Sequence, residues 1–312
     1  MLNISVIIPV YNAAAFLVKA VESALMLPEV KEILLIEDNS TDSSLQVCEQ
    51  LQANHDQIRF FQHPDKKNHG AAASRNLGLK KASQKFIAFL DADDYYLRNR
   101  FEAEKIYFKD EKVQGVFGAL GTEFLTEKGK SEYLQKFKNA DLTTVNFPAE
   151  GKQVFKGLLG LTERTFGTFF HLNTLTVRKK TLLKHGIFFN EKLRVHQDSE
   201  FILRLAFHCY LKSGIIDKAV AIRGIHDDNR ITKIVQYSTE YNERQLIFWK
   251  SLYDWSKKEK IGDDAQKHIY LQKKAFELST EKGVVKWSDF LLTLIKYPEI
   301  LRTKYRFTYL QQ

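Results

Sequence analysis

Four short apolar runs, separated by amphipathic stretches across the first ninety residues, constrain the fold of this chain more than any other feature. Ile4-Ser-Val-Ile-Ile-Pro9, Glu32-Ile-Leu-Leu-Ile36, Ile58-Arg-Phe-Phe61 and Phe86-Ile-Ala-Phe-Leu90 are too short for helices and rich in β-branched and aromatic residues. Such runs suit strands buried on both faces of a parallel sheet. Between them, residues 16–27, 43–51 and 71–82 place apolar side chains at helical spacing, with Pro28 as a stop after the first. The order βαβαβαβ predicts an α/β fold: a mainly parallel sheet flanked by helices, joined by right-handed crossovers. In such sheets ligands collect beyond the carboxyl ends of the strands.

After Gly115-Val-Phe-Gly-Ala-Leu120 the pattern loosens. Residues 122–165 are polar and lack a strong period, as an insertion or mobile region would. Regularity returns over 171–177, followed by a short helix to His185-Gly186. A helix over 198–210 and a strand over 215–225 come next. From about Val235 the signal is helical and increasingly basic, a C-terminal helical extension. The boundaries fall at 1–115, 116–232 and 233–312.

The apolar share of 44% and charged share of 27% exclude disorder for most of the length. A net charge of +9 favours anionic partners, although a solubilising surface explains it more simply. The basic residues are dispersed and form no recognised nucleic-acid module, so nucleic acid is not an expected partner. Cys48 and Cys209 stand in apolar contexts without metal-type spacing, which predicts buried free thiols and a reducing compartment. No signal sequence is expected, because Met1-Leu-Asn runs straight into the first apolar run. No apolar run approaches the roughly 18 residues that span a bilayer. The expected location is cytoplasmic, at most peripheral on the inner face of a membrane.

Chemistry concentrates at the strand ends. Asp91-Ala92-Asp93-Asp94 follows the fourth run directly. Carboxylates crowded there repel one another unless a cation or donors compensate, and hard oxygen ligands suit Mg²⁺ or Mn²⁺ bridging to phosphate. Tyr96 stands where a calcium EF-hand loop needs glycine. A solvated turn is the alternative to metal, and the position at a strand end favours metal. His69-Gly70-Ala-Ala-Ala-Ser74-Arg75-Asn76 opens the third helix. Small residues there let a ligand approach a helix N-terminus, which favours anions, and tight helix–sheet packing explains them equally well.

Pro9-Val-Tyr11-Asn12 ends the first run, and no glycine occurs before Gly70, which argues against a dinucleotide-binding fold. In Glu37-Asp38-Asn-Ser40-Thr-Asp42, Ser40 and Asp42 are candidate helix caps and Asp38 is placed to accept hydrogen bonds from a base. Asp198 shares a helix face with Ile202 and Leu205, so it is expected to point inward. Glu200 is expected on the other side, paired with Arg204. Asp198 is a candidate general base, although on its own a helix cap explains it better. His226, after Arg223-Gly-Ile, is a candidate ligand for metal or phosphate, or a packed histidine.

In this order the motifs resemble those of the family 2 glycosyltransferases, which have a GT-A fold, over residues 1 to about 230. The resemblance implies that Pro9, Tyr11, Asn12 and Asp38 border the nucleotide, with Arg75 and Asn76 by its phosphates and Asp91 and Ala92 by the ribose or phosphates. Asp93 and His226 would hold Mn²⁺ or Mg²⁺, and Asp198 would be the catalytic base. It assigns residues 1–115 to the nucleotide-sugar half and 116–232 to the acceptor and catalytic half. The family often has Glu-Asp where this chain has Gln197-Asp198.

The implied activity is inverting transfer of a hexose or N-acetylhexosamine from a nucleotide-diphosphate sugar, UDP being the favoured carrier, to an acceptor hydroxyl. Surface polysaccharide or a lipid-linked saccharide is the expected acceptor. A catalytically silent saccharide- or nucleotide-sugar-binding protein is the alternative, and nucleotidyl transfer a weaker one because no glycine-rich loop follows the first run. The C-terminal extension interleaves Trp287, Phe290, Tyr297, Tyr305, Phe307 and Tyr309 with Lys286, Lys296, Arg302, Lys304 and Arg306. That pattern fits an anionic membrane interface and an amphipathic helix packed on the catalytic part about equally.

Overall fold

The first apolar run forms β1 (Ile4–Val10), in which every residue but Pro9 is buried. It pairs in parallel with β2 (Val30–Glu37) on one side and with β4 (Phe86–Phe89) on the other, and β3 (Ile58–Gln62) extends the sheet beyond β2. In this computed structural model, residues 2–136, 142–227, 235–303 and 306–310 are described. The chain divides into two compact units, Met1–Thr232 and Lys233–Gln312.

Within the first unit, α1 (Leu17–Leu25), α2 (Ser44–Asn54) and α3 (Ala71–Lys81) are the crossovers that parallel pairing requires. Beyond β5 (Tyr95–Tyr96) and α4 (Glu102–Tyr107) the chain adds β6 (Gly115–Phe117). With β9 (Thr176–Arg178) and β10 (Leu211–Ser213), the large sheet takes the order β10-β6-β9-β4-β1-β2-β3. Only β9 runs antiparallel to its neighbours. The sheet is therefore mainly parallel and flanked by helices, as the alternation predicts. Pro9 costs the ladder nothing. Leu90 donates to the Ile7 carbonyl, so Ile7 and, by alternation, Pro9 face β4, which has ended by then.

After β6, which ends at Phe117, the chain changes sheet: β7 (Ala119–Phe124) lies in a second sheet between β8 (Leu142–Thr143) and β11 (Ala219–Ile225), with β5 beyond β11. Gly118 permits that transfer, since a Cβ there would lie 2.9 Å from the Ile215 carbonyl oxygen. The strand expected over 215–225 begins later, as β11 (Ala219–Ile225), and β10 ends before the expected span. Residues 122–165 are no structureless insertion. They hold the end of β7, α5 (Glu127–Lys136), β8 (Leu142–Thr143) and α6 (Lys152–Leu158).

The remaining elements of this unit are a 3-10 turn at Leu172–Thr174, α7 (Lys179–Lys184) and α8 (Gln197–His208). Cys48 and Cys209 are buried free thiols, each pushed up to about 12 by burial.

The second unit contains α9 (Thr239–Lys258), α10 (Asp263–Thr280), α11 (Gly283–Lys296), a 3-10 turn at Pro298–Arg302 and α12 (Phe307–Leu310). Ser238 caps α9 by accepting from the Tyr241 N–H. Leu271, Ala275, Leu278, Ile300 and Tyr309 form a small core. Of the residues expected at an interface, Lys304 and Tyr305 lie outside the described residues, as does the Phe307 side chain; the expected boundary at 232/233 lies outside them too. Among the described residues no helix is long and apolar enough to cross a membrane.

Candidate active site

The ends of β1, β2 and β4 open onto a cleft of about 660 Å³, a size suited to a small-molecule ligand. Its lining includes Pro9, Tyr11, Asn12, Asp38, Arg75, Asp91, Ala92, Asp93 and His226, so most of the residues singled out from sequence share one space. Asn76 and Asp198 are not among the lining residues.

Side chains between β2 and α2 hold the loop after β1. Ser40 Oγ, Ser44 Oγ and Asp42 Oδ2 accept from the N–H groups of Asn12, Ala13 and Ala14. Asn12, at φ 50°, returns the link by accepting from the Thr41 N–H at 2.8 Å. Ser40 therefore binds the neighbouring loop, whereas Asp42 does so and also accepts from the Ser44 N–H at 2.9 Å at the start of α2, whose N-cap position is Ser43. This arrangement leaves Tyr11 half exposed over the cleft.

Asp38 is buried, and its two oxygens accept from the N–H groups of His69 and Gly70, each at 2.7 Å. It therefore fixes the loop that leads into α3. Gly70 takes φ +84°, a conformation glycine adopts without strain. The N-terminus of α3 has no side-chain cap and no acidic residue in its first turn. Its leading N–H groups and positive dipole end suit an anion.

Arg75, about one turn further along α3, pairs with Asp91 at 2.6 Å and lies 5.5 Å from the Phe189 ring. Asn76 turns away. Its amide exchanges hydrogen bonds with the Phe189 backbone and donates to Glu191 Oε1 at 2.8 Å. It thereby anchors the segment leading to Arg194.

The acidic run separates into distinct environments. Burial would raise the Asp91 carboxyl, but Arg75, His171 and Arg223 outweigh it and hold it below the usual carboxylate range. Asp94 is pushed well above that range by burial, then by the charges of Asp93 and Asp91. Its oxygens accept from Asn173 Nδ2 and the Gly224 N–H. Asp93 meets His226 at 3.3 Å, although the two stand 133 positions apart. The His226 ring stacks on Phe16 at 4.7 Å.

Oxygens of Asp91 and Asp94 and a nitrogen of His171 also lie within 4.8 Å of one another, a second donor set of metal-binding type. Those two carboxylates accept from Arg75, Asn173 and Gly224, and Asp91 lines the cleft together with the Asp93–His226 pair. Burial, then the neighbouring Arg223, lowers His171 to about 4, so its ring is neutral at pH 7.

Asp198 occupies the second position of α8 and is not its cap, which is His196 in the left-handed region at φ 58°. Glu200, not Asp198, is the more deeply buried at 2% exposed, and it pairs with Arg204 at 2.6 Å as expected. Asp198 is half-buried, accepts from the Ser199 N–H at 2.9 Å, and acts electrostatically on His171.

Sequence reasoning missed three neighbours. Gln197 lines the cleft with its Oε1 buried and without a hydrogen-bond partner among the described residues. The guanidinium of Arg194 lies over Gly70. His171 stands 3.8 Å from Asp91. Gln197 stands in the quoted Gln197-Asp198 pair but was given no role of its own, and Arg194 and His171 belong to no motif.

Residues 5–173 match the family described as Glycosyl transferase family 2. An uncharacterized glycosyltransferase of Rickettsia felis is 38% identical over 129 residues, 41% of this chain and 20% of that protein. The GalNAc(5)-diNAcBac-PP-undecaprenol beta-1,3-glucosyltransferase of Campylobacter jejuni is 28% identical over 203 residues, 62% of this chain and 64% of the relative. Among solved structures, S. aureus TarS 1-349 in complex with UDP-GlcNAc superposes with a TM-score of 0.62 at 16% identity, covering 98% of this chain and 87% of the other. At that identity the likeness shows the fold. The match to the Rickettsia relative thus spans a fifth of its length.

Proposed function

The chain belongs to glycosyl transferase family 2 and has a GT-A fold, and from that premise we propose that it transfers a hexose or N-acetylhexosamine from a UDP-sugar to an acceptor hydroxyl, with inversion. The observation that carries this reading is the meeting of Asp93 and His226 at 3.3 Å in the cleft that the uncapped start of α3 also lines. A carboxylate oxygen beside an imidazole nitrogen fits Mn²⁺ or Mg²⁺, and an ion held there would neutralise charge on the departing diphosphate.

The protein groups do the rest. Pro9 and Tyr11 flank the base, and Asp38 keeps the loop before α3 in place. The N-terminus of α3 faces the phosphates, while Asp91, fixed by Arg75, borders the ribose. Asp198 takes the proton of the acceptor hydroxyl as its oxygen attacks C1. The bond from C1 to the diphosphate breaks on the opposite face, and the nucleotide diphosphate leaves. The position of Asp198 supports this role: it follows the cleft-lining Gln197 at the start of α8.

A lipid-linked or surface saccharide on the cytoplasmic side of a membrane is the proposed acceptor. The undecaprenol named for the Campylobacter relative supports that choice.

Calorimetry with UDP, GDP and CMP, with Mn²⁺ or with EDTA, tests the donor site. UDP binding that needs Mn²⁺ and disappears in Asp93→Ala is expected. Asp198→Asn should keep UDP affinity and lose about 10²–10⁴ in turnover. A folded protein that binds none of these nucleotides would overturn the proposal in favour of a catalytically silent scaffold.

A further inference from the structure

The helix α11 is packed in reverse. Its inward face carries Lys286, which is only 4% exposed, buried Thr293, and Asp289, which is ion-paired with Lys274. Phe290 and Leu294 complete that face, partly buried against the small core of the C-terminal unit. The outward face carries Val284, Val285, Trp287, Leu291, Leu292 and Ile295. Val284 is 85% exposed, Leu292 68% and Ile295 81%. At 100° per residue these six side chains cover a continuous arc of about 160° in which only Ser288 is polar. A helix stabilised by water alone would turn this face inward. A contiguous apolar stripe of this kind marks a surface for association.

We propose that this face of α11 docks on an anionic lipid surface, with the helix axis parallel to the membrane plane. Charge selects this occupant. The outward arc has no acidic residue, and Lys282 and Lys296, both exposed, bracket it, with exposed Arg302 on the following turn. A second copy of the chain would bring lysine against lysine whether the paired helices ran parallel or antiparallel. Anionic headgroups complement the same lysines, and aliphatic side chains with a tryptophan at the edge of the arc match the headgroup–acyl boundary. The helix is about 21 Å long and lies flat rather than crossing the bilayer. The inference rests on this helix alone and does not depend on the transfer chemistry.

Sedimentation of the full chain with vesicles tests it, comparing phosphatidylglycerol–phosphatidylcholine mixtures with phosphatidylcholine alone. Binding to the anionic vesicles is expected. It should fall by more than about tenfold in Leu292→Asp combined with Ile295→Asp. Lys282→Gln and Lys296→Gln, which leave the apolar face untouched, should each lower it by about fivefold. Unchanged circular dichroism melting shows that the variants remain folded. Equal binding by the wild type and the double aspartate variant would overturn the proposal, as would binding to neither vesicle. A concentration-dependent dimer that Ile295→Asp dissolves would assign the face to a second copy instead.

Discussion

Gly224 controls the spacing on which the metal-type pair depends. A Cβ at this position would lie 2.7 Å from the Asp93 carbonyl oxygen and 3.0 Å from Leu125 Cδ1. The backbone oxygen cannot move aside as a flexible side chain would. The Gly224 N–H also donates to Asp94 at 2.9 Å, so the end of β11 and the acidic loop form one unit. Gly224→Ala should therefore separate Asp93 from His226 while leaving both side chains present. The expected result is a loss of about tenfold or more in Mn²⁺-dependent UDP affinity by calorimetry, about 1.4 kcal/mol. Unchanged affinity would show that the spacing does not matter to the ligand. Asp91, Asp93 and His226 were readable as chemistry because few other uses explain them in that order. The requirement at Gly224 was not, because the atom it avoids is 131 positions away in sequence and adjacent only in the fold.

At the level of elements, Glu32 ties the large sheet together. It lies on β2, accepts from Ser5 Oγ on β1 and from Arg59 Nη1 on β3, and also accepts from the Ser83 N–H ahead of β4. Burial pushes its carboxyl up, but these donors outweigh that effect and hold it below the usual carboxylate range. A folded-state value below the unfolded one of about 4.3 means that the ionised form stabilises the fold. That contribution is complete above the unfolded value and is lost as the pH falls through the folded one. Urea unfolding from pH 7 down to pH 3 should therefore show a stability decline that Glu32→Gln flattens, with the variant less stable at pH 7. An equal slope in both proteins would show that other carboxylates carry the acid sensitivity.

The strands around Glu32 were legible because β1, β2, β3 and β4 are buried runs with a strong local signal. The helix α5 was not, since its sequence is polar and its order comes from distant partners. Gly129 packs against the His226 backbone, and Tyr133 meets Phe124 edge-on at 5.7 Å. One local signal was present there: Thr126 Oγ1 accepts from the Gly129 N–H at 3.0 Å, a capping arrangement in Thr126-Glu-Lys-Gly129.

At the scale of the whole molecule, the alternation of the first ninety residues determined the class of fold but not its strand order. β9 enters antiparallel between β4 and β6 from a segment beginning at Thr176, and no periodicity encodes such a long-range placement. Nor did composition separate the two compact units, the first with a core running over β1 to β4, α1 and α2, the second with one of Leu271, Ala275, Leu278, Ile300 and Tyr309. Two compact units make a thermal prediction. The cleft proposed for the nucleotide is lined entirely by residues of the first unit, so a ligand bound there would stabilise that unit directly. UDP with Mn²⁺ at about 100 times its Kd adds about 2.7 kcal/mol to the unfolding free energy of whatever core holds it. For a unit of this size each kcal/mol raises Tm by about 2–4 °C. Calorimetric scanning should show two transitions, one of which the ligand moves up by about 5–10 °C while the other stays. Asp93→Ala should abolish the shift without removing either transition. A single peak that moves as a whole would instead mean that the two cores unfold together, and binding at Asp93 would then stabilise α11 and its apolar face as well.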